Sequence, residues 1–269
     1  MRRALTSWTL LGLMICSHQA GAEDNDPSLY RFQDADGRPD QAAFKEYALE
    51  LGSTLSPKLL APAETLGING FQFATQLSIT NINDSEDYWQ LGVEDSSPPT
   101  TLMASHLIIR KGLPFSFEVG GSATYLINSE LWAFGAEGKW ALNEAIDDAP
   151  VDFAVRAAYS RMVGSIQMNL SSFNMDFVLS KSFGVAGVVN IAPYMAYSPL
   201  WVFASSEVLD PTPAIADDPQ QNFVLSQEEP FLNRFVFGMR FIFANVNFTP
   251  EASFAQGIQT YSFNLGLDY

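Results

Sequence analysis

From Gly70 to the end of the chain one device recurs: segments of about ten residues in which apolar or aromatic side chains take every second place. The first shows it plainly. Phe71, Phe73, Thr75, Leu77 and Ile79 alternate with Gly70, Gln72, Ala74, Gln76, Ser78 and Thr80. A period of two sends neighbouring side chains to opposite faces of an extended strand. Repeated strands with one apolar and one polar face must hide the apolar face from water, either in a core or in hydrocarbon. Beyond residue 22 no run approaches eighteen consecutive apolar residues, which excludes membrane-spanning helices.

Ten such segments can be marked. The second, 101–111, sets Met103, Ser105, Leu107 and Ile109 against His106 and Arg110. The reverse assignment would push an imidazole and a guanidinium into lipid, at about 2–4 kcal/mol for the guanidinium. After a tight turn at 112–114, the third runs Phe115, Phe117, Val119, Gly121, Ala123 and Tyr125 outward, with Glu118 inward. The fourth carries Trp132, Phe134, Ala136, Trp140 and Leu142 outward and Glu137 and Lys139 inward. The fifth carries Val151, Phe153, Val155, Ala157 and Tyr159 outward, with Asp152 and Arg156 inward. The sixth has Phe173, Met175, Phe177 and Leu179 outward and Asp176 inward. In the seventh, near 188–198, the alternation blurs, and Pro193 lacks the N–H a ladder needs. The eighth is regular, with Phe235, Phe237, Met239, Phe241 and Phe243 outward and Arg234 and Arg240 inward. A ninth spans 246–254 and the tenth closes the chain.

That last run, with Tyr261, Phe263, Leu265, Leu267 and Tyr269 at alternate places up to the terminus, resembles the C-terminal strand of Gram-negative outer-membrane β-barrels. The resemblance implies an all-β fold: a transmembrane antiparallel up-and-down β-barrel of about ten strands, with the terminal strand offered to a barrel assembly machinery. It implies an outer-membrane location, with outer-membrane lipids and lipopolysaccharide as neighbours. Arg2 and Arg3, an uncharged core over 4–15 and the small residues Ala20, Gly21 and Ala22 read as a secretory signal over 1–22. Ile15 before Cys16 is bulky for a lipoprotein box. Signal removal leaves no cysteine, hence no disulfide.

Residues 23–67 form a different unit, and the barrel itself occupies 68–269. Asp40 is placed to cap a short helix whose apolar side runs through Phe44, Tyr47, Ala48 and Leu51 and which Gly52 ends. That face packs either on the periplasmic mouth or inside the lumen as a plug. Asp34, Asp36 and Gly37 suggest a turn, since Phe32 and Ala43 occupy places where a calcium loop needs ligands.

Short turns between even and odd strands and long connections between odd and even ones place the long loops, 82–99 and 199–233, outside. Two aromatic belts follow: Tyr125, Trp132 and Tyr159 towards the outer ends of their strands, and Phe115, Trp140, Phe243 and Tyr269 towards the inner ends. The chain has 21 Phe, 9 Tyr and 5 Trp, which suits a lipid-facing wall, and a net charge of −16, which excludes nucleic acid as a partner.

A ten-stranded barrel is only slightly wider than one that side chains fill. Its candidate lumen network is His106, Arg110, Glu118, Glu137, Lys139, Asp152, Arg156, Asp176, Arg234 and Arg240. Paired, these charges shut the lumen; swung aside, they leave a thin polar path. The expectation is a non-enzymatic barrel that passes or binds small or amphipathic molecules of unknown identity, with a closed structural or surface-interaction barrel as the alternative. Omptin proteases, lipid A deacylases and outer-membrane phospholipases are barrels too. Their sites need a rim-placed histidine with an acid and a nucleophile or a positioned water, whereas His106, the one histidine beyond the signal, falls in mid-strand. Neither a metal site nor a cofactor is expected, one histidine being too few for a histidine-based centre. The outer loops group Asp84, Glu86, Asp87, Glu94 and Asp95 around Tyr88 and Trp89, and Glu207, Asp210, Asp217, Asp218, Glu228 and Glu229 among prolines. These carboxylates are either solvated faces or bridges through divalent ions to lipopolysaccharide phosphates.

Overall fold

A computed structural model describes residues 25–34, 36–92, 98–142, 150–185, 188–211 and 222–269. The signal segment, Cys16, Glu94, Asp95, Asp217 and Asp218 lie outside the described residues.

Ten strands close on themselves, each antiparallel to its neighbours. They are β1 (Phe71–Asn81), β2 (Thr101–Leu113), β3 (Phe117–Leu126), β4 (Trp132–Ala141), β5 (Asp152–Val163), β6 (Met168–Ser180), β8 (Val189–Ser206), β9 (Phe231–Phe243), β10 (Val246–Ala255) and β11 (Ile258–Asp268). A three-residue β7 (Phe183–Val185) continues the β6 side of the wall by pairing with the start of β8. The seam joins the first strand to the last, from Gln72 opposite Asp268 to Asn81 opposite Gln259. Ten strands are the even number that returns both ends of the sheet to one rim.

At outward strand positions the wall is apolar along most of its height: Phe73, Leu107, Ile109, Phe134, Phe235, Phe237 and Leu265 are all exposed. A closed antiparallel wall with an apolar exterior meets lipid with that surface. The up-and-down barrel is therefore a transmembrane one, its apolar exterior solvated by hydrocarbon rather than by a partner layer.

Three sequence expectations change. The turn between β2 and β3 sits at 114–116 and not at 112–114: Gly112 pairs with Glu118 inside the ladder, and Phe115 and Ser116 take φ of 62° and 58°. Phe115 is thus a turn residue, 87% exposed at the rim, and not the first residue of a strand. The seventh segment, blurred in sequence, is the longest strand, eighteen residues. Pro193 is tolerated because it faces the break between β6 and β7, where only its carbonyl is used, by Lys181 N at 3.2 Å. Alternation fails there because inward Ala192, Tyr194 and Ala196 are apolar as well, and beyond them inward Leu200 and Val202 pack in the interior.

The third change concerns α1 (Gln41–Leu55). Asp40 caps it, accepting from Ala43 N at 3.0 Å, but the helix continues through Gly52 to Leu55. Gly52 is there for space: a Cβ would stand 2.5 Å from Val202 Cγ1 on β8. Gly52→Val is expected to unseat the helix at about 1–3 kcal/mol, and Val202→Ala in the same chain to recover most of it. Denaturant midpoints of the single and double variants check this, and equal loss in both would refute the contact.

α1 does not lie at the short-turn rim. It enters the lumen from the mouth that carries the long loops, amid Phe32, Leu102, Leu126, Leu131, Met162, Leu170, Leu200, Val202 and Leu232. Half of the lumen is therefore a hydrophobic core, where alternation alone suggested a water-facing lining throughout.

Candidate functional site: the plugged lumen

Below α1 the chain runs without helix or strand from Ser56 to Gly67, bending at Leu60 where φ is 44°, through the lumen to the rim where β1 begins. A backbone without regular structure in a narrow interior cannot satisfy its own donors and acceptors. The wall supplies them. Arg234 Nη1 donates to Ser56 Oγ at 2.8 Å, Arg156 Nη2 to Lys58 O at 3.0 Å and Arg110 Nη2 to Leu59 O at 2.8 Å. Glu251 accepts from Leu60 N at 2.7 Å, and Ser180 Oγ from Ala63 N at 3.0 Å. Lys139 Nζ reaches Glu64 O at 2.8 Å, and Glu118 accepts from Leu66 N at 3.1 Å. Wall strands from both sides of the lumen thus grip one strip of main chain.

The same charges pair laterally. Glu137 takes Arg110 Nε and Arg156 Nη2, each at 2.5 Å. Arg156 also binds Asp176, and Lys139 meets Glu118 at 3.1 Å. Arg240 is joined instead to Asp268, next to the seam, at 2.5 Å. Each of these basic groups is buried, so its desolvation is tolerable only because carboxylates and carbonyls surround it.

Of the residues expected in this network, Arg110, Glu118, Glu137, Lys139, Arg156 and Asp176 come together around this segment, with Arg234 bonding it nearer α1. Asp152 does not join: it begins β5 at the short-turn rim, half-buried, opposite Ser180. His106 stands apart, its Nε2 2.9 Å from Ser78 Oγ and its Nδ1 2.8 Å from Thr124 Oγ1. Both neighbours are hydroxyls, and all three residues are buried.

Glu251, Asp268 and Lys58 belong here as well and were not picked from sequence. Inward parity along β10, where Asn247, Thr249 and Glu251 alternate with Phe248 and Pro250, was a usable signal for Glu251. Nothing local announced that Lys58 lies inside a barrel.

The belt residues fall where their strands place them. Tyr125 and Trp132 pack 4.9 Å apart towards the long-loop mouth, and Tyr159 lies towards the same end of β5. Trp140 stacks on Phe117 at 5.4 Å towards the other rim, where Phe115, Phe243 and Tyr269 are also exposed at their own places round the wall.

The long-loop mouth is capped. Tyr88 and Trp89 sit on α2 (Asp87–Gly92), and both donate to Glu50 of α1, from Tyr88 Oη at 2.8 Å and Trp89 Nε1 at 2.5 Å. Glu50 also accepts from Asn83 N at 3.1 Å. Burial, and then the hydrogen bond to Glu50, hold the Tyr88 hydroxyl well above the usual phenol range. The stretch that precedes α1 and the first residue of that helix complete the cap, with Asn25 N on Asn128 O at 3.1 Å, Ser28 N on Gly92 O at 2.9 Å and Gln41 Nε2 on Ser226 O at 2.8 Å. Of the loop carboxylates, Glu228 accepts from Gln41 Nε2 at 2.9 Å. Asp84, Glu86, Asp87, Glu207, Asp210 and Glu229 line the same mouth, where no grouping of three metal-ligating side chains occurs among the described residues.

No known protein family matches the chain, and no curated protein matches it. Solved structures similar to it include the KdgM porin, at 8% identity over 73% of this chain and 98% of that one, with a TM-score of 0.34. Ail, the attachment invasion locus protein of Yersinia pestis, is 9% identical over 75% and 99%, with a TM-score of 0.32. The β domain of the Bordetella autotransporter BrkA is 12% identical over 75% and 99%, with a TM-score of 0.39. Likenesses of this size decide nothing about what the barrel does.

Proposed function

We propose that this chain is a non-enzymatic outer-membrane barrel whose own N-terminal segment, over 23–67, is a resident plug, and which offers a folded cap to the cell exterior. The closed-lumen, surface-interaction reading is thus preferred to an open pore. The observation that carries it is the grip on the plug: main-chain atoms from Lys58 to Leu66 are bonded by side chains of β2, β3, β4, β5, β6 and β10. A strip held by that many independent strands does not leave by thermal fluctuation of any one of them. Catalysis has no place in this reading, because His106 and Ser78 are shut beneath the plug and no carboxylate orients the ring.

Orientation follows from loop length, short turns facing the periplasm. The N-terminal stretch then emerges outside, beside the long loops. An epitope inserted before Asn25 is expected to bind antibody on intact cells, and one in the turn at 244–245 only after permeabilisation. The reverse labelling pattern would refute both the orientation and the external cap.

A second reading, passage of small solutes after plug movement, has one observation in its favour. On β1, β10 and β11 the facing side chains Gln76, Thr249 and Asn264 are buried, and Gln76 Nε2 and Oε1, Thr249 Oγ1 and Asn264 Oδ1 find no hydrogen-bond partner. Water admitted by a displaced plug would satisfy them, returning about 1–3 kcal/mol for each group.

A further inference from the structure

The outer wall carries almost no charge. No carboxylate occupies an outward strand position, and only Lys111 and Arg161 are basic there. Lys111 is at the short-turn rim and gives its ammonium to Ile68 O at 3.0 Å and Gly70 O at 3.2 Å. Arg161, near the long-loop end of β5, is exposed and its guanidinium has no partner among the described residues.

Its surroundings form a site. Tyr159, Phe173, Trp201 and Phe231 are successive partners across β5, β6, β8 and β9, with Phe173 and Trp201 5.8 Å apart and Trp201 and Phe231 5.1 Å apart. That aromatic row marks the edge of the apolar band. One pair further towards the long loops the row reads Arg161, Ser171 and Phe203, and the next reads Asn169 and Ser205. With Gln227 these residues line a groove of about 260 Å³ on the outside of the barrel. The wall turns from aromatic to amide, hydroxyl and guanidinium over two rows, with Phe203 the last aromatic, at the level where lipid headgroups begin.

We propose that this groove binds the phosphorylated headgroup of an outer-leaflet glycolipid. Arg161 takes the phosphate in the forked geometry a guanidinium offers, and Asn169, Ser171, Ser205 and Gln227 take sugar hydroxyls. Charge complementarity singles out the place: in a chain of net charge −16, this is the outward strand cation with nothing to neutralise it among the described residues. Glu207, which accepts from Asn169 Nδ2 at 2.6 Å beyond the second row, bars a phosphate from that end and restricts it to the Arg161 end. The choice of a glycolipid over a phospholipid rests on the orientation proposed above, which puts this rim in the outer leaflet.

The test is native mass spectrometry of the full-length mature barrel in nanodiscs that contain diphosphoryl lipid A, its dephosphorylated form or phosphatidylglycerol. The wild-type protein is expected to retain diphosphoryl lipid A in preference to the other two. Arg161→Gln is expected to lower that retention about tenfold, the scale of one charge-assisted hydrogen-bond pair, and Lys111→Gln to leave it unchanged. Equal retention by Arg161→Gln overturns the site, as does a wild-type preference for phosphatidylglycerol or release by millimolar inorganic phosphate. Membrane fractionation of cells that make the same variants is scored separately. Absence from the outer membrane refutes the functional reading, whereas correct fractionation with undiminished lipid A in Arg161→Gln refutes this groove alone.

Discussion

Removal of residues 25–67 is expected to turn an electrically silent barrel into a conducting one. The deletion strips the carbonyl ladder from Arg110, Arg156 and Lys139, and the half of the lumen around them becomes a hydrated, charged passage. The other half behaves differently. Leu102, Leu126, Leu200, Val202 and Leu232 would form a bare apolar ring, and such constrictions gate by shedding water. Val202→Ser with Leu232→Ser, added to the deletion, should therefore raise ion flux further, on the order of tenfold for a lumen this narrow. Planar-bilayer recording measures it, with heat-modifiability on gels confirming that each barrel is folded. Folded deletion barrels that stay silent with and without the serines would show that the plug is not the seal.

Arg156→Leu carries the second large effect. The guanidinium sits between Glu137 and Asp176, is almost wholly buried and also bonds Lys58 O of the plug. Its removal leaves Asp176 without its guanidinium in a low-dielectric interior and Glu137 with Arg110 alone, and one plug carbonyl unbonded. A buried pair broken on one side costs about 3–5 kcal/mol. The urea midpoint of unfolding in detergent should fall accordingly, and Arg156→Leu with Asp176→Asn should recover part of the loss, because it removes the stranded charge. A midpoint within error of the wild type would mean that this cluster is hydrated and of little consequence.

How much of this was legible depends on which solvent wrote the pattern. Hydrocarbon disfavours polar side chains and admits only a few small hydroxyls such as Thr75 and Ser105, so outward positions such as Phe235, Phe237 and Leu265 announce ten strands. The interior has no such rule. Where it faces α1 it is apolar, and the alternation of β8 disappears into Leu200, Trp201 and Val202. Where it faces the rest of the plug it is charged, and parity suffices to find Arg110, Glu137 and Arg156. Asp152 shows the limit: its parity is correct, but its height on the strand puts it at the rim. Gly52 reads as a stop in one dimension and is a clearance for Val202 in three. The path of 56–67 has no local signature, since its partners lie up to 191 positions away.

The plug also dictates an order of events during biogenesis. It precedes β1 in the chain, yet it lies inside a ring sealed by β1 against β11, a contact between residues almost two hundred positions apart. Pairings so distant are slow, because loop-closure entropy must be met first. A finished ring would have to be threaded end to end by the whole segment, whereas an open sheet can curl round it. The segment therefore acts as a mandrel, and the last hydrogen bonds to form are those that trap it.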